Sequence, residues 1–350
     1  MRLATAAAKA ALTVAYRVAQ SESVEPFVQR PAKPTLSRVY YETDDGWQAA
    51  LFCLPPLPGA SGEPVILAHG LGVNRHSLDW SGSLSLARAL QRAGFAVYLM
   101  EHRGDASAIP PEGSRGWDFD FDDIAIHDVP AAVDAAREHS GYPRVHWIGH
   151  AMGGQLLYAF LAHSRGDGVG AAATLCAPVT FTTSDSIRRA AALTRLLLPK
   201  AAQVPARAAA AVLAPTVRGE NRIAGAEIAR PVTRGVMVHG SRDLSGAMVH
   251  QVARWLTSGV LCDRDDRVDY AEALRGITLP LMLVTARGDS LCPPEHAAPV
   301  LDFLNGPQGV LVLDRGWGHL DPLLGARAPD RVFPRLVSWL DTHRRLAWED

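Results

Sequence analysis

The stretch Val145-His146-Trp147-Ile148-Gly149-His150-Ala151-Met152-Gly153-Gly154 decides how this chain reads. Its first four residues, apolar apart from His146, form a short run of strand type, and from Met152 the apolar residues recur at helical spacing to about Ser164. Between them lies a turn with Gly149 and Gly153 two positions either side of Ala151. A strand that reverses this abruptly into a helix strains its central residue. Side chains two positions away would collide with neighbouring backbone, so glycine is required at both. The helix opening at Met152 brings unpaired N–H groups and a partial positive charge to the turn.

Working outward, short apolar runs alternate with helical patterns. Spans 38–41 and 47–54 read as a hairpin around Asp44-Asp45-Gly46. Strands are predicted at 64–68, 96–100, 145–148 and 171–176, with helices at 83–94, 122–138 and 152–164 between them. The alternation stops at about 180 and resumes with strands at 281–286 and 309–313 and helices at 295–304 and 330–343. Strands apolar on both faces belong in a parallel sheet covered on both sides. The predicted class is therefore α/β: a mostly parallel sheet with helices on both faces and an inserted helical cap. The segments are a leader at 1–35, a first core part at 36–179, a cap at 180–275 and a second core part at 276–350. The cap arginines (Arg188, Arg189, Arg195, Arg207) and Lys200 read as a solvated face, with guidance of anionic substrates as the rival reading.

With serine at its centre the opening turn would be the G-x-S-x-G nucleophile elbow; here Ala151 holds that position. His69-Gly70-Leu71-Gly72 follows the strand at 64–68, where a loop contributes an oxyanion-binding N–H, so Leu71 and Met152 are the two expected backbone donors. His69, Gly70, Gly72 and His150 flank them as expected substrate-binding positions. Asp289, in Ala286-Arg287-Gly288-Asp289, and His319, in Gly316-Trp317-Gly318-His319, each follow a late strand. They supply the acid and the base in the order nucleophile, acid, base. Asp314 and Asp321 are rival acids, although neither ends the preceding strand. His150 is expected to point away from the base.

Here the chain resembles the α/β-hydrolase superfamily, and within it the capped, acid-lipase-like lipases and esterases. Glu101-His102-Arg103-Gly104-Asp105-Ala106-Ser107 is similar to a D-x-R-G-x-G-x-S loop but departs at its first position and lacks the second glycine. Trp117-Asp118-Phe119-Asp120-Phe121-Asp122-Asp123, continuing to Asp128-Val129-Pro130-Ala131, resembles the W-x-F-S-F-D-E and D-L-P-A segments of acid-lipase-like enzymes. Its aspartates lack calcium-loop spacing and read as a helix cap. The resemblance covers about 64–177 and 279–346 and implies a carboxylic ester with a hydrophobic acyl chain as substrate, without a cofactor or metal.

A methyl group cannot attack a carbonyl, so the chain as written should be nearly inert. Three explanations stay open: alanine introduced for serine in an active hydrolase, a natural non-catalytic homologue that binds an apolar ligand or a protein partner, and chemistry that uses His319 alone.

The bulk numbers fit a globular protein of 350 residues, 48% hydrophobic and 20% charged. A net charge of -1 and the lack of any basic arm argue against nucleic acid as a partner. Four scattered cysteines (Cys53, Cys176, Cys262, Cys292) and no readable secretory signal favour a cytoplasmic setting. Residues 1–20 read as an amphipathic helix, packed on its own domain or lying on a membrane surface. Oligomeric state has no sequence signature here.

Overall fold

The computed structural model describes residues 29–31, 36–213 and 225–344. The amphipathic helix expected at 1–20 falls outside them. Eight strands form the main sheet: β1 (Ser37–Glu42), β2 (Gln48–Leu54), β3 (Pro64–Ala68), β4 (Ala96–Met100), β5 (Val145–His150), β6 (Val169–Leu175), β7 (Leu281–Ala286) and β8 (Gln308–Leu313). Their spatial order is β1-β2-β4-β3-β5-β6-β7-β8. β2 runs antiparallel to both neighbours, and every other pairing is parallel.

The sheet is buried on both faces because its central strands carry apolar side chains at consecutive positions. In β5, Trp147 packs into one apolar cluster and Ile148 into the other. The first cluster takes in α2 (Val129–Ser140) and α3 (Met152–Ser164); the second takes in α1 (Leu86–Arg92) and a C-terminal helix, Phe333–Thr342. The helix expected at 122–138 is broken. Phe121–Asp123 form one turn, Ile124–Asp128 a wider turn with i to i+5 bonding, and only then does α2 begin. Pro130 lacks the N–H that a continuous helix would need there, and the wider turn absorbs the missing bond. Asp120 caps this unit, accepting from the N–H groups of Asp122 and Asp123 while the Asp123 carboxylate accepts from Asp120, so the aspartates serve the helix start.

Between β6 and β7 the described chain adds no strand to the main sheet. It contains α4 (Asp185–Leu197), short helices at Ala206–Leu213 and Arg230–Gly235, and α5 (Gly246–Ser258), with one small pairing of Gln203–Val204 on Leu244–Ser245. No described helix is long and apolar enough to cross a membrane.

Candidate active site

The C-terminal ends of β3, β5, β7 and β8 bring the site residues together. Ala151 follows β5 with φ 48° and ψ −114°, a backbone conformation that costs a non-glycine residue on the order of 1–3 kcal/mol. Its N–H donates to the Leu175 carbonyl at 2.8 Å, which ties the turn to β6. A Cβ on Gly149 would stand 2.2 Å from the Gly153 carbonyl oxygen, and one on Gly153 would stand 2.2 Å from the Ala68 carbonyl oxygen. The glycine spacing thus follows from backbone packed on backbone. Gly70 fits as closely: a Cβ there would lie 3.2 Å from the Ala151 methyl and 3.0 Å from His150 Nδ1. The loop carrying Leu71 therefore abuts the turn carrying Met152, and the first N–H groups of α3 have no partner within the helix.

Asp289 and His319 meet. His319 Nδ1 lies 2.7 Å from Asp289 Oδ2, while Asp289 Oδ1 accepts from the N–H groups of Leu291 at 2.8 Å and Cys292 at 3.0 Å. Burial acts to raise the Asp289 carboxyl, but the His319 hydrogen bond and charge, with those two N–H groups, outweigh it and hold the carboxyl below its ordinary value. A proton kept on Nδ1 leaves Nε2 as the basic nitrogen, the arrangement a general base needs. Gly288 allows the approach, since a Cβ there would stand 2.3 Å from the Arg315 carbonyl oxygen. The rival acids are engaged elsewhere. Asp314 accepts from the Gly316 N–H, and Asp321 accepts from the N–H groups of Gly225 and Glu227.

His150 departs from expectation. Its ring lies 4.8 Å from the His319 ring, and its Nε2 is 3.0 Å from the His319 carbonyl oxygen, so it braces the base instead of pointing away. Burial, then the neighbouring His319 charge, pushes it down to about 3, which keeps it neutral. A neutral ring this enclosed presents little surface to a substrate.

His69 is also turned inward. Its Nε2 is 3.2 Å from Asp105 Oδ2, and its ring stacks on His102 at 5.0 Å. Arg242, from the inserted block, completes this group. Its guanidinium lies 3.1 Å from Asp105 Oδ1 and 2.9 Å from His102 Nε2, and donates to the Arg103 carbonyl at 3.1 Å. Two histidines and an aspartate have the donor set of a cation site, but the guanidinium fills it. The Arg242 N–H donates to the Gly72 carbonyl at 3.0 Å, and the Asn74 N–H to the Gly240 carbonyl at 2.8 Å. The inserted block is thereby laced to the loop of Gly70, Leu71 and Gly72. Gly104 leaves room for it, because a Cβ there would meet Phe119 at 2.6 Å and Arg242 Nη2 at 2.9 Å.

Sequence reasoning missed Arg242 and Cys176. Cys176 is fully buried at φ 49°, just past β6, with its Sγ within 4.8 Å of ligand atoms of Asp289 and His319. Burial, then the Asp289 charge, pushes its thiol well up, so it stays protonated beside the acid. Its place at the end of β6, one strand from β7, was the available signal.

The chain matches the family described as "alpha/beta hydrolase fold" over residues 63–326. Human gastric triacylglycerol lipase is 32% identical over 124 residues, covering 32% of this chain and 31% of that protein. Lipase 1 of Drosophila melanogaster is 28% identical over 117 residues, 32% of this chain and 26% of that protein. The matches thus span about a third or less of those relatives. Among solved structures, a soluble variant of monoglyceride lipase from Saccharomyces cerevisiae aligns with a TM-score of 0.62 at 15% identity, covering 90% of this chain and 99% of that one. An esterase from Thermogutta terrifontis aligns at 0.59 and 18% identity, covering 89% and 99%. At such identities the likeness is one of fold. The family match runs from the residue before β3 to beyond His319, and this chain belongs to the α/β-hydrolase fold family.

Proposed function

We propose that this chain carries a carboxylic-ester hydrolase site of lipase or esterase type, for a hydrophobic acyl ester, in which position 151 supplies no nucleophile. The observation that carries the reading is the Asp289–His319 pair at 2.7 Å, held beside an elbow that keeps its strained φ of 48° although only a methyl group stands there. In the working arrangement His319 takes the nucleophile's proton, Asp289 fixes its tautomer, and the N–H groups of Leu71 and Met152 receive the oxyanion. Without the nucleophile, turnover falls on the order of a millionfold, leaving what binding and the oxyanion site provide. Four buried free thiols support a reducing, cytoplasmic setting as part of the same proposal.

The test is Ala151→Ser, assayed on p-nitrophenyl esters of several chain lengths and with a fluorophosphonate probe. The variant is expected to label and turn over, and adding His319→Ala should remove most turnover. A folded but inert variant would favour the second reading, a non-catalytic homologue holding an apolar ligand or a protein partner. That reading draws on the same methyl group, which lets a site bind without reacting. Codon 151 of the source gene distinguishes an introduced alanine from an inherited one.

A further inference from the structure

β1 is an outer strand of the main sheet, so only one of its edges has a neighbouring strand. The register decides which residues face the other edge. Thr43 donates to the Trp47 carbonyl, and bonded pairs alternate along an antiparallel ladder, so Ser37, Val39 and Tyr41 bond to β2. Gln48, opposite Glu42, exchanges both of its backbone bonds with Ile109 instead, in step with that alternation. The N–H and C=O groups of Arg38, Tyr40 and Glu42 therefore point outward. Among the described residues none of these groups has a partner. An edge left open in this way is a template for one more strand.

A groove of about 530 Å³ lies between β1 and α2. Tyr40, Tyr41 and Glu42 all line it, and consecutive side chains leave a strand on opposite faces, so the groove runs along the strand edge. On the helix side Ala131 and Ala135, one turn apart, keep it open. Tyr40 and Ile126 offer exposed apolar surface beside it, at 64% and 37% exposure. Four carboxylates line the groove, Glu42, Asp44, Asp134 and Glu138, and no lysine or arginine does, in a chain whose total is -1. Asp44 is paired with His127 and Asp134 with Arg137, whereas Glu42 and Glu138 have no ion-pair partner among the described residues. A metal ion or a polyamine would answer the carboxylates but leave the backbone groups unmet. A second copy would bring four more carboxylates to the same place. A basic peptide in extended form satisfies both features at once.

We propose that β1 and the groove beside it receive an extended, lysine- or arginine-rich segment of a partner protein. The segment adds to the main sheet as a ninth strand, bonds to Arg38, Tyr40 and Glu42 through backbone, and sets its cations against Glu42 and Glu138. Strand addition needs no turnover, so this stands apart from the ester-hydrolase reading.

The probe is a rhodamine-labelled octapeptide alternating lysine with threonine, followed by fluorescence anisotropy on the unaltered full chain. It should bind saturably with a Kd below about 1 mM. Glutamate in place of lysine should weaken binding at least about tenfold, and several hundred millimolar salt should weaken the lysine peptide. N-methylating every amide of the peptide removes the donors a ladder needs and should cost at least about tenfold. Tyr40→Pro removes one outward N–H that the pairing with β2 does not use, and should weaken binding about fivefold. Glu42→Gln with Glu138→Gln should weaken it about fivefold, as two exposed ion pairs would. Both carboxylates are exposed, so the melt of that double variant should stay within about 2 °C of the parent. If Tyr40→Pro melts far below the parent, the methylated peptide and the double variant decide. Equal binding of the methylated peptide, unchanged binding by the double variant, or no binding by the parent would each overturn the proposal. So would a concentration-dependent dimer in sedimentation that Tyr40→Pro abolishes, because the edge would then serve self-pairing. Arg2→Gln, Lys9→Gln and Arg17→Gln together should leave peptide binding unchanged. A gain of more than about tenfold in that variant would assign the groove to the chain's own first residues, competing from within, and defeat the partner reading.

Discussion

Replacing Arg242 with methionine isolates the contribution of the tie between the inserted block and the loop after β3. Methionine keeps most of the stem's bulk and removes a guanidinium that is 6% exposed and sits on Asp105, His102 and the Arg103 carbonyl. Asp105, itself 6% exposed, would keep its charge with only His69 and the His102 N–H to answer it. Breaking a buried pair by removing one partner costs about 3–5 kcal/mol. Unfolding entropy of about 2.1 cal/mol/K per residue gives about 0.7 kcal/mol/K for a chain of this size, so the melting temperature should drop by about 4–7 °C. Arg189→Met, on the exposed face of α4, is the control and should move it by less than about 1 °C. Adding Asp105→Leu to Arg242→Met should recover part of the loss, since the stranded carboxylate goes with it. Differential scanning calorimetry of the parent, the three single variants (Arg242→Met, Asp105→Leu and Arg189→Met) and the double variant reads all of this. Arg242→Met melting with the parent, or a double variant losing the full sum of the two single losses, would refute the ion-pair reasoning.

In the Ala151→Ser background, Asp289→Asn should lower kcat on the order of 10⁴-fold through loss of the correct His319 tautomer, read by steady-state ester hydrolysis. Gly153→Ala should leave little soluble protein, because its Cβ would stand 2.2 Å from the Ala68 carbonyl and backbone cannot yield at a strand end. Stability should fall as pH drops from about 6.5 to about 4. Burial holds His76 and His146 down to about 4 and His150 to about 3, so the unfolded chain binds protons there that the folded chain refuses. Asp120 and Asp128, pushed up to about 6 chiefly by burial, and Glu101 and Asp321, raised by the same cause, act in the opposite sense below pH 6. His102, also held well down by burial, joins the other three histidines and keeps the balance on their side. Urea midpoints measured across that range that rise toward pH 4 would contradict the histidine argument.

Much of the fold was legible because its central strands are apolar at consecutive positions, as in β5 and β7, a pattern that few other environments produce. The elbow was legible because Gly149 answers to the Gly153 backbone four residues on, within the turn itself, whereas Gly153 answers to the Ala68 carbonyl at the end of β3. What escaped depended on distant parts of the chain. Pro130 gave no sign that its helix would start with a wide turn, and nothing local to Arg242 separates it from the solvated arginines of the cap. His150 was misjudged because its direction is set by the His319 carbonyl, 169 residues away. Cys176 reads as a small apolar residue unless the loop after β7 is known to cross it. α4 has an ordinary amphipathic pattern in sequence, and only the packed chain reveals which face turns outward.

The turn at 151 owes its shape to Gly149, Gly153 and the bond to Leu175, and little to the residue it presents. Its occupant is therefore interchangeable in a way the histidine and aspartate are not. On the proposed reading, any compact side chain installed there would be delivered to one spot within reach of His319. A thiol would meet the same imidazole as a hydroxyl, and a carboxylate could attack directly without losing a proton first. On the proposed ester-hydrolase reading the scaffold is a socket for nucleophiles, and the methyl group of this chain is an inert plug in it.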